Sequence, residues 1–244
     1  MKILALDTSA KTATAAVVEN DNILCRACVT TSLTHSQTLL PLCDSMLKSA
    51  GITLHDIDLF AVSSGPGSFT GLRIGIGAMK GMAQGLNKPC IGVSTLEALG
   101  CNYRGLHGVV CAVMDARCQQ VYTATFQVSG GYPQRLTADE AVTIEELCGR
   151  LSVYDAPISF VGDGAVLCYN ALKDRLPASL APPQLRLQDA ASVGFAAQQL
   201  LQNGGKLQEA SELMPQYLRL PQAERELLQK TKGKNKDLTQ NSER

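Results

Sequence analysis

Residues that could hold a phosphate group follow two predicted strands of this sequence. A carboxylate and two hydroxyls come directly after the apolar run 2–6, and a glycine-rich turn follows the apolar run 59–62. Carboxylates and hydroxyls can hold a phosphate or its metal ion, and backbone N–H groups at a helix N-terminus bind anions. The sequence therefore indicates a phosphate site, and its candidate residues are Asp7, Thr8, Ser9, Gly65 and Gly67.

No side chain of a typical catalytic type has a neighbour that would activate it. The three histidines, His35, His55 and His107, lie far apart in the sequence, and no serine or cysteine stands beside a recognisable base. The pair Cys25 and Cys28 has no second pair with which to bind zinc. The nine cysteines are an odd number without regular spacing, which is typical of free thiols in the reducing cytosol.

Two of the predicted helices, at residues 34–50 and 69–86, are candidates for contact with a partner. The second contains five glycines, and each glycine costs a helix roughly 1 kcal/mol relative to alanine. Two explanations stay open: the helix packs closely on the protein's own sheet, or it presents a flat face to a partner helix. For the second explanation, the residues predicted to contact the partner are Leu39, Cys43, Leu72, Ile76, Gly77, Met79, Gly81 and Met82.

The composition limits the kinds of partner that the protein can have. The 244 residues carry a formal net charge of zero, and 18% of them are charged, so no broad basic surface for nucleic acid is expected. No apolar run approaches the 18 or more residues of a membrane span, and no signal peptide precedes the first strand. We expect a soluble, cytoplasmic protein without membrane contact.

The order of the predicted elements is similar in the two halves of the chain. The first half reads as three strands followed by alternating helices and strands, and the second half has the same outline. This order predicts an α/β fold with two related subdomains, residues 1–105 and 106–221. The polar segment 222–244, which contains a lysine-rich stretch, is predicted to be disordered.

Six segments, in a consistent order over residues 1–220, resemble the TsaB (YeaZ) family. The glycine-rich segment 65–73 is the most specific of them, whereas Asp-Thr-Ser alone would be a weak signal. The matching segments are 3–9, 35–41, 65–73, 93–99, 114–117 and 215–219.

The resemblance implies a fold of the actin, sugar-kinase and Hsp70 (ASKHA) type, with two subdomains of mixed sheets flanked by helices and a cleft between them. It implies a non-catalytic partner of the synthase TsaD, which transfers a threonylcarbamoyl group to adenosine 37 of tRNAs that read codons starting with A. The ATPase TsaE completes that system, and without TsaD a homodimer is implied. The chain would contact tRNA only through the complex. It would bind no cofactor alone, with ATP or ADP expected only in the complex.

Two motifs of the enzymes in this superfamily are altered in this sequence. The catalytic relatives carry Val-Asn-His-x-Glu-Gly/Ala-His, whose histidines hold a metal, and Thr95 and Leu99 stand at those histidine positions. Leucine cannot ligate a metal, so no metal site is predicted. Sugar kinases open their second half with Asp-x-Gly, where this sequence has Asp115, Ala116 and Arg117. Both changes favour a subunit without catalytic activity.

Two alternatives stay open. One is a nucleotide-dependent phosphotransferase or ATPase, in which Asp7 and Asp115 would surround a phosphate and a magnesium ion. The other is a tRNA-binding module that uses Arg73, Lys80 and the lysine-rich tail. The neutral net charge argues against the second, because phosphate contacts supply most non-specific affinity for nucleic acid.

Overall fold

Two mixed β-sheets flanked by helices make up the fold. The structure, a computed structural model, describes residues 1–219. The strands of the first sheet are β1 (Lys2–Asp7), β2 (Thr12–Glu19), β3 (Asn22–Thr30), β4 (Leu59–Gly65) and β5 (Cys90–Ser94). The helices of this half are α1 (His35–Ala50), α2 (Phe69–Leu86) and α3 (Thr95–Cys101).

The first sheet has the strand order β3-β2-β1-β4-β5. Strands β1, β2 and β3 form antiparallel pairs, whereas β1, β4 and β5 run parallel. The central strand β1 is an uninterrupted apolar run because helices cover both faces of the sheet. Helices α1 and α2 pack on one face and α3 on the other.

The second sheet repeats this order. Its strands are β6 (His107–Asp115), β7 (Gln120–Ser129), β8 (Gln134–Arg135), β9 (Glu140–Thr143), β10 (Ile158–Val161) and β11 (Ala178–Leu180). The order β8-β7-β6-β10-β11 again joins an antiparallel set to a parallel set, with β9 paired to β7. The helices are α4 (Ile144–Leu151), α5 (Ala165–Leu172), α6 (Pro183–Arg186) and α7 (Ala190–Gln202). The predicted α/β fold with two related mixed sheets is confirmed.

The chain crosses between the two sheets twice. The first crossing follows α3, and the second follows α6. Asn102 joins the two crossings, because its Nδ2 donates hydrogen bonds to the carbonyls of Leu185 and Leu187 at 2.8 and 2.9 Å. Helix α7, which the sequence placed with residues 106–221, packs on the first sheet, where its small apolar side chains cover β1 and β2. The boundary at 105/106 stays a prediction, and the predicted disordered tail lies outside the described residues.

After α7 the chain returns across the first half. Gln208 pairs with Cys90 at the edge of the sheet, and Leu213 is buried in the core beside α2. The Gln216 N–H then donates to the Ser64 carbonyl at 2.7 Å. We call residues 208–219 the C-terminal strap. No helix among residues 1–219 is both long and apolar enough to cross a membrane.

Candidate functional site

Helix α2 begins in close contact with the end of β1. Ser68 caps the helix, and its Oγ accepts a hydrogen bond from the Gly71 N–H at 3.2 Å. A Cβ atom added at Gly71 would lie 2.1 Å from the Thr8 carbonyl oxygen, and one at Gly75 would lie 2.3 Å from Thr8 Oγ1. Thr8 Oγ1 also donates to the Gly71 carbonyl at 2.8 Å. These two glycines therefore let the helix pack on the protein's own backbone.

The outer side of α2 carries three further glycines, beside which residues 1–219 leave open space. Gly77, Gly81 and Gly85 are exposed, and a Cβ added at any of them would lie within 4 Å of no atom outside the helix among residues 1–219. Because they recur every four residues, they lie along one side of the helix. The half-buried side chains of Ala78 and Met82 border them. We call Gly77, Gly81 and Gly85 the glycine strip, and its backbone is open to close approach by a second helix.

Five of the eight residues predicted to contact a partner are buried inside the chain itself. None of their side chains is more than 4% exposed. They lie on the apolar sides of α1 and α2, which cover the first sheet. A side chain that fills this core is not free to contact a partner, so the prediction is corrected for Leu39, Cys43, Leu72, Ile76 and Met79. Gly77 and Gly81 are exposed and Met82 is half-buried, so these three reach the surface.

The three polar residues after β1 form hydrogen bonds within the chain. The Asp7 carboxylate is buried and accepts hydrogen bonds from the Ser9 N–H and Oγ, at 2.8 and 2.7 Å, and from Ser63 Oγ. Burial raises the pKa of Asp7, while the hydrogen bonds from Ser63 and Ser9 oppose that shift. The phosphate site stays a prediction, because Ser9 also lines a cleft of the molecule. Asp7, Thr8 and Ser9 are each at most 1% exposed and hold the end of β1 against β4 and α2.

The two glycines of the predicted phosphate turn also pack against the chain itself. Gly65 has a φ of +134°, and a Cβ added there would lie 2.2 Å from the Gln216 carbonyl oxygen. The C-terminal strap therefore runs directly over this turn. A Cβ added at Gly67 would lie 2.6 Å from the Ser9 carbonyl oxygen. Both glycines therefore allow close backbone packing, and Gly67 also lines the cleft between the two halves.

A cleft of about 580 Å³ lies between the two halves of the molecule. The Asp115 carboxylate at its edge accepts a hydrogen bond from the Arg117 N–H at 2.8 Å, and Arg219 Nη1 donates to the Ala116 carbonyl at 2.9 Å. Asp7 and Asp115, the two carboxylates of the phosphotransferase alternative, are therefore both engaged within the chain. The charged residues that line the cleft are Lys11, Asp115, Arg117, Asp163 and Arg219.

The two positions that the resemblance compares with metal-binding histidines, Thr95 and Leu99, are buried in the structure. Thr95 is fully buried, and Leu99 is 1% exposed among the apolar residues between α3 and the second sheet. Glu97, between them, pairs with Arg135 of β8, whose Nε lies 2.8 Å from a Glu97 carboxylate oxygen. Within residues 1–219, no group of three or more His, Cys, Asp or Glu side chains could hold a metal ion.

Comparison with known proteins identifies the family. The chain matches the family model described as TsaD, tRNA N6-adenosine threonylcarbamoyltransferase, over residues 29–227. It is 31% identical over 240 residues to the Bacillus subtilis tRNA threonylcarbamoyladenosine biosynthesis protein TsaB, an alignment that covers 95% of this chain and 100% of that protein. The chain belongs to the TsaB family.

Similarity also extends to a solved TsaB-like structure and to TsaD enzymes. A Pseudomonas aeruginosa protein described as similar to peptidase YeaZ superposes with a TM-score of 0.77 at 29% identity, covering 89% of this chain and 99% of that one. The chain therefore has the fold of that YeaZ-like protein. A Brachyspira hyodysenteriae tRNA N6-adenosine threonylcarbamoyltransferase is 33% identical over 114 residues, which cover 40% of this chain and 34% of that enzyme.

The sequence did not predict the role of the C-terminal strap. The segment 215–219 contributed to the resemblance to the TsaB family, but nothing in its composition indicates where it lies in the fold. In the structure, the strap meets the first turn of α2 and the turn between β6 and β7. An isolated aromatic residue in this segment, Tyr217, was the one local signal that could have indicated a contact.

Proposed function

We propose that this chain is a non-catalytic partner of a TsaD-type synthase in the formation of the threonylcarbamoyl group on adenosine 37 of tRNAs that read codons starting with A. The synthase supplies the catalytic residues, and TsaE joins the same system. The chain works in the cytoplasm and meets tRNA only through the complex. It needs no cofactor of its own, and ATP or ADP acts within the complex.

The glycine strip is the observation that carries this proposal. Each exposed glycine within a helix costs about 1 kcal/mol relative to alanine, and no contact within residues 1–219 offsets that cost at Gly77, Gly81 or Gly85. A partner helix that packs directly on the strip would offset this cost, because its axis could approach α2 more closely than side chains normally allow. The outer face of α1 lies beside α2, and its Leu40 is 52% exposed.

The similarity between this chain and TsaD enzymes supports the choice of partner. The aligned region with the Brachyspira hyodysenteriae enzyme is 33% identical over 114 residues. The TsaD family model matches residues 29–227, which include α1 and α2, and two proteins that share these helices can pair through them about a pseudo-two-fold axis. The same argument explains why a second copy of this chain is the expected partner when the synthase is absent.

The burial of Thr95 and Leu99 supports a division of labour between the two proteins. Both residues belong to the core at the positions where catalytic relatives place their metal-binding histidines. Neither leucine nor a fully buried threonine can supply that metal site. The threonylcarbamoyl transfer is therefore assigned to the synthase.

Reconstitution of the transfer reaction tests the proposal. Threonylcarbamoyl transfer to tRNA would be measured with TsaD and TsaE of the same organism, with and without this chain, and with each other component omitted in turn. We expect transfer to need both this chain and TsaD, and we expect this chain without TsaD to give none. Full transfer in the absence of this chain, or transfer by this chain without TsaD, would refute the proposal.

The alternative of a nucleotide-dependent enzyme is tested separately. The cleft is large enough for a small ligand and includes Lys11, Arg117 and Arg219 in its lining. Calorimetric titration of the isolated chain with ATP and magnesium should show neither binding nor turnover under the proposed function. Saturable binding with phosphate release would favour the phosphotransferase instead.

A further inference from the structure

We propose that Arg73 binds a carboxylate of the TsaD-type partner, and that the C-terminal strap holds its guanidinium in position for this contact. The inference rests on the proposed function and adds the strap to the partner-binding surface. It assigns a binding role to Arg73, Tyr217 and Phe69, which together form a small exposed cluster at the N-terminal end of the glycine strip.

The guanidinium of Arg73 is fixed on two sides. Its central carbon lies 3.9 Å from the centroid of the Phe69 ring, and its Nε donates a hydrogen bond to the Tyr217 hydroxyl at 3.1 Å. The Tyr217 ring stacks on the Phe69 ring, with centroids 4.9 Å apart and an interplanar angle of 27°. A guanidinium held in one plane loses little conformational entropy when it binds a carboxylate through two parallel hydrogen bonds.

The other arginines of residues 1–219 show that this arrangement is unusual in the molecule. Six of the nine form ion pairs with carboxylates. Arg186 and Arg219 donate to backbone carbonyls. Arg73 is exposed, and its two Nη groups make no hydrogen bond to any of the described residues. None of these four N–H donors is used within residues 1–219, so all four are available to an acceptor on a partner.

The surroundings of Arg73 favour a protein carboxylate over an RNA phosphate. The glycine strip begins one helical turn further along α2, and Met214 and Leu218 of the strap are 64% and 39% exposed. Helix α2 has one other cation, Lys80, whose Nζ donates to the Ser211 carbonyl at 3.2 Å, and it has no acidic residue. Surfaces that bind RNA backbones cluster many cations. The cleft that Phe69 and Tyr217 also line contains three cations, but Arg117 pairs with Asp115 and Arg219 donates to the Ala116 carbonyl. An arginine beside apolar side chains is typical of a protein interface.

Calorimetric titration of the full chain with TsaD, using matched arginine variants, tests the inference. Arg73→Gln should weaken binding about tenfold, because it removes the charge and the paired donors. Arg73→Lys should recover only part of that loss, since an ammonium cannot make the same paired contact. Tyr217→Phe, which removes the hydroxyl that accepts from Nε, should weaken binding by a smaller factor. The control is Arg175→Gln, a change in an exposed ion pair of the second half, and it should leave the affinity unchanged.

The salt dependence and the folding of the variants complete the test. The wild-type affinity should fall more steeply with salt than that of Arg73→Gln, and all four variants should keep the wild-type unfolding midpoint within a few degrees. Wild-type affinity in Arg73→Gln would overturn the inference while the proposed function stood. If Arg73→Gln binds TsaD with wild-type affinity but no longer retains tRNA on a filter, Arg73 binds a phosphate instead, which would also overturn the inference. No binding of wild type to TsaD would overturn the proposed function.

Discussion

Helix α2 contains glycines near its start and further along, and the two groups have opposite environments. Gly71 and Gly75, near its start, meet Thr8 so closely that a Cβ atom would lie 2.1 and 2.3 Å from oxygen atoms of that residue. Gly77, Gly81 and Gly85, further along, lie against nothing within residues 1–219. The first pair serves the fold, and the glycine strip serves a partner in the proposed function. Both groups consist of glycines four residues apart, so residue type and spacing do not distinguish their roles. The surroundings of each glycine do.

Substitution at the packed end of α2 should have the largest effect on stability. In Gly71→Ala the new methyl group would overlap the Thr8 backbone carbonyl, which has no rotamer with which to move away. We expect the free energy of unfolding to fall by about 3 kcal/mol, at the upper end of values for overpacked sites. Urea denaturation followed by circular dichroism would measure it. A loss below about 1 kcal/mol would show that the contact between Gly71 and Thr8 is looser than described.

Removal of the Asp7 carboxylate should have the next largest effect. Asp7→Ala leaves the Ser9 N–H and the Ser63 hydroxyl buried without their acceptor. The cost of such unpaired groups predicts a loss of about 2 kcal/mol in the free energy of unfolding. The same denaturation experiment measures it, with Asp174→Ala, an exposed acid in the turn after α5, as the control. If both variants unfold at the same urea concentration, the Asp7 carboxylate does not hold the end of β1 against β4.

Substitution within the glycine strip should act in the opposite direction. Gly81→Ala adds a methyl group in open space and removes the entropic cost of a helical glycine, so the free energy of unfolding should rise by about 0.5–1 kcal/mol. Gly149→Ala in α4 is the matched control, because that glycine is also exposed and contacts nothing within 4 Å. Equal gains are expected. A destabilised Gly81→Ala would mean that the strip already packs against this chain.

The titration of Asp7 should have the smallest effect on stability. The pKa of Asp7 is raised on folding, so the folded state binds a proton more tightly there than the unfolded state does. The contribution of Asp7 is therefore greatest below its unfolded pKa and declines as the pH rises through its folded pKa. Relative to Asp7→Asn, wild type should lose stability as the pH rises from about 4. A constant difference across this range would contradict the direction of the shift.

Much of the fold could be predicted because its signals are local. Helix α2 runs over the predicted residues, since Ser68 caps its start and Asn87 ends it in the left-handed conformation. The position of α7 could not be predicted in this way. Its small apolar residues would fit either sheet, and the second crossing of the chain brings them to the first.

The site was less predictable than the fold because it depends on contacts between distant segments. A carboxylate and two hydroxyls after a strand suit a phosphate as well as an internal hydrogen-bond network, and the structure was needed to show that the buried Asp7 carboxylate accepts hydrogen bonds from Ser9. The helical pattern of α1 and α2 located their apolar sides. It did not reveal that the first sheet covers those sides, which is why core residues such as Met79 were assigned to the partner interface.

The affinity of TsaD for glycine-strip variants tests the central claim most directly. Gly81→Leu and Gly149→Leu each place a leucine in open space on an exposed helix surface, so both proteins should fold as wild type does. In calorimetric titrations with TsaD, we predict that Gly81→Leu loses measurable binding while Gly149→Leu binds with wild-type affinity. Equal, wild-type affinities in both variants would contradict the claim that the glycine strip is the partner-binding face.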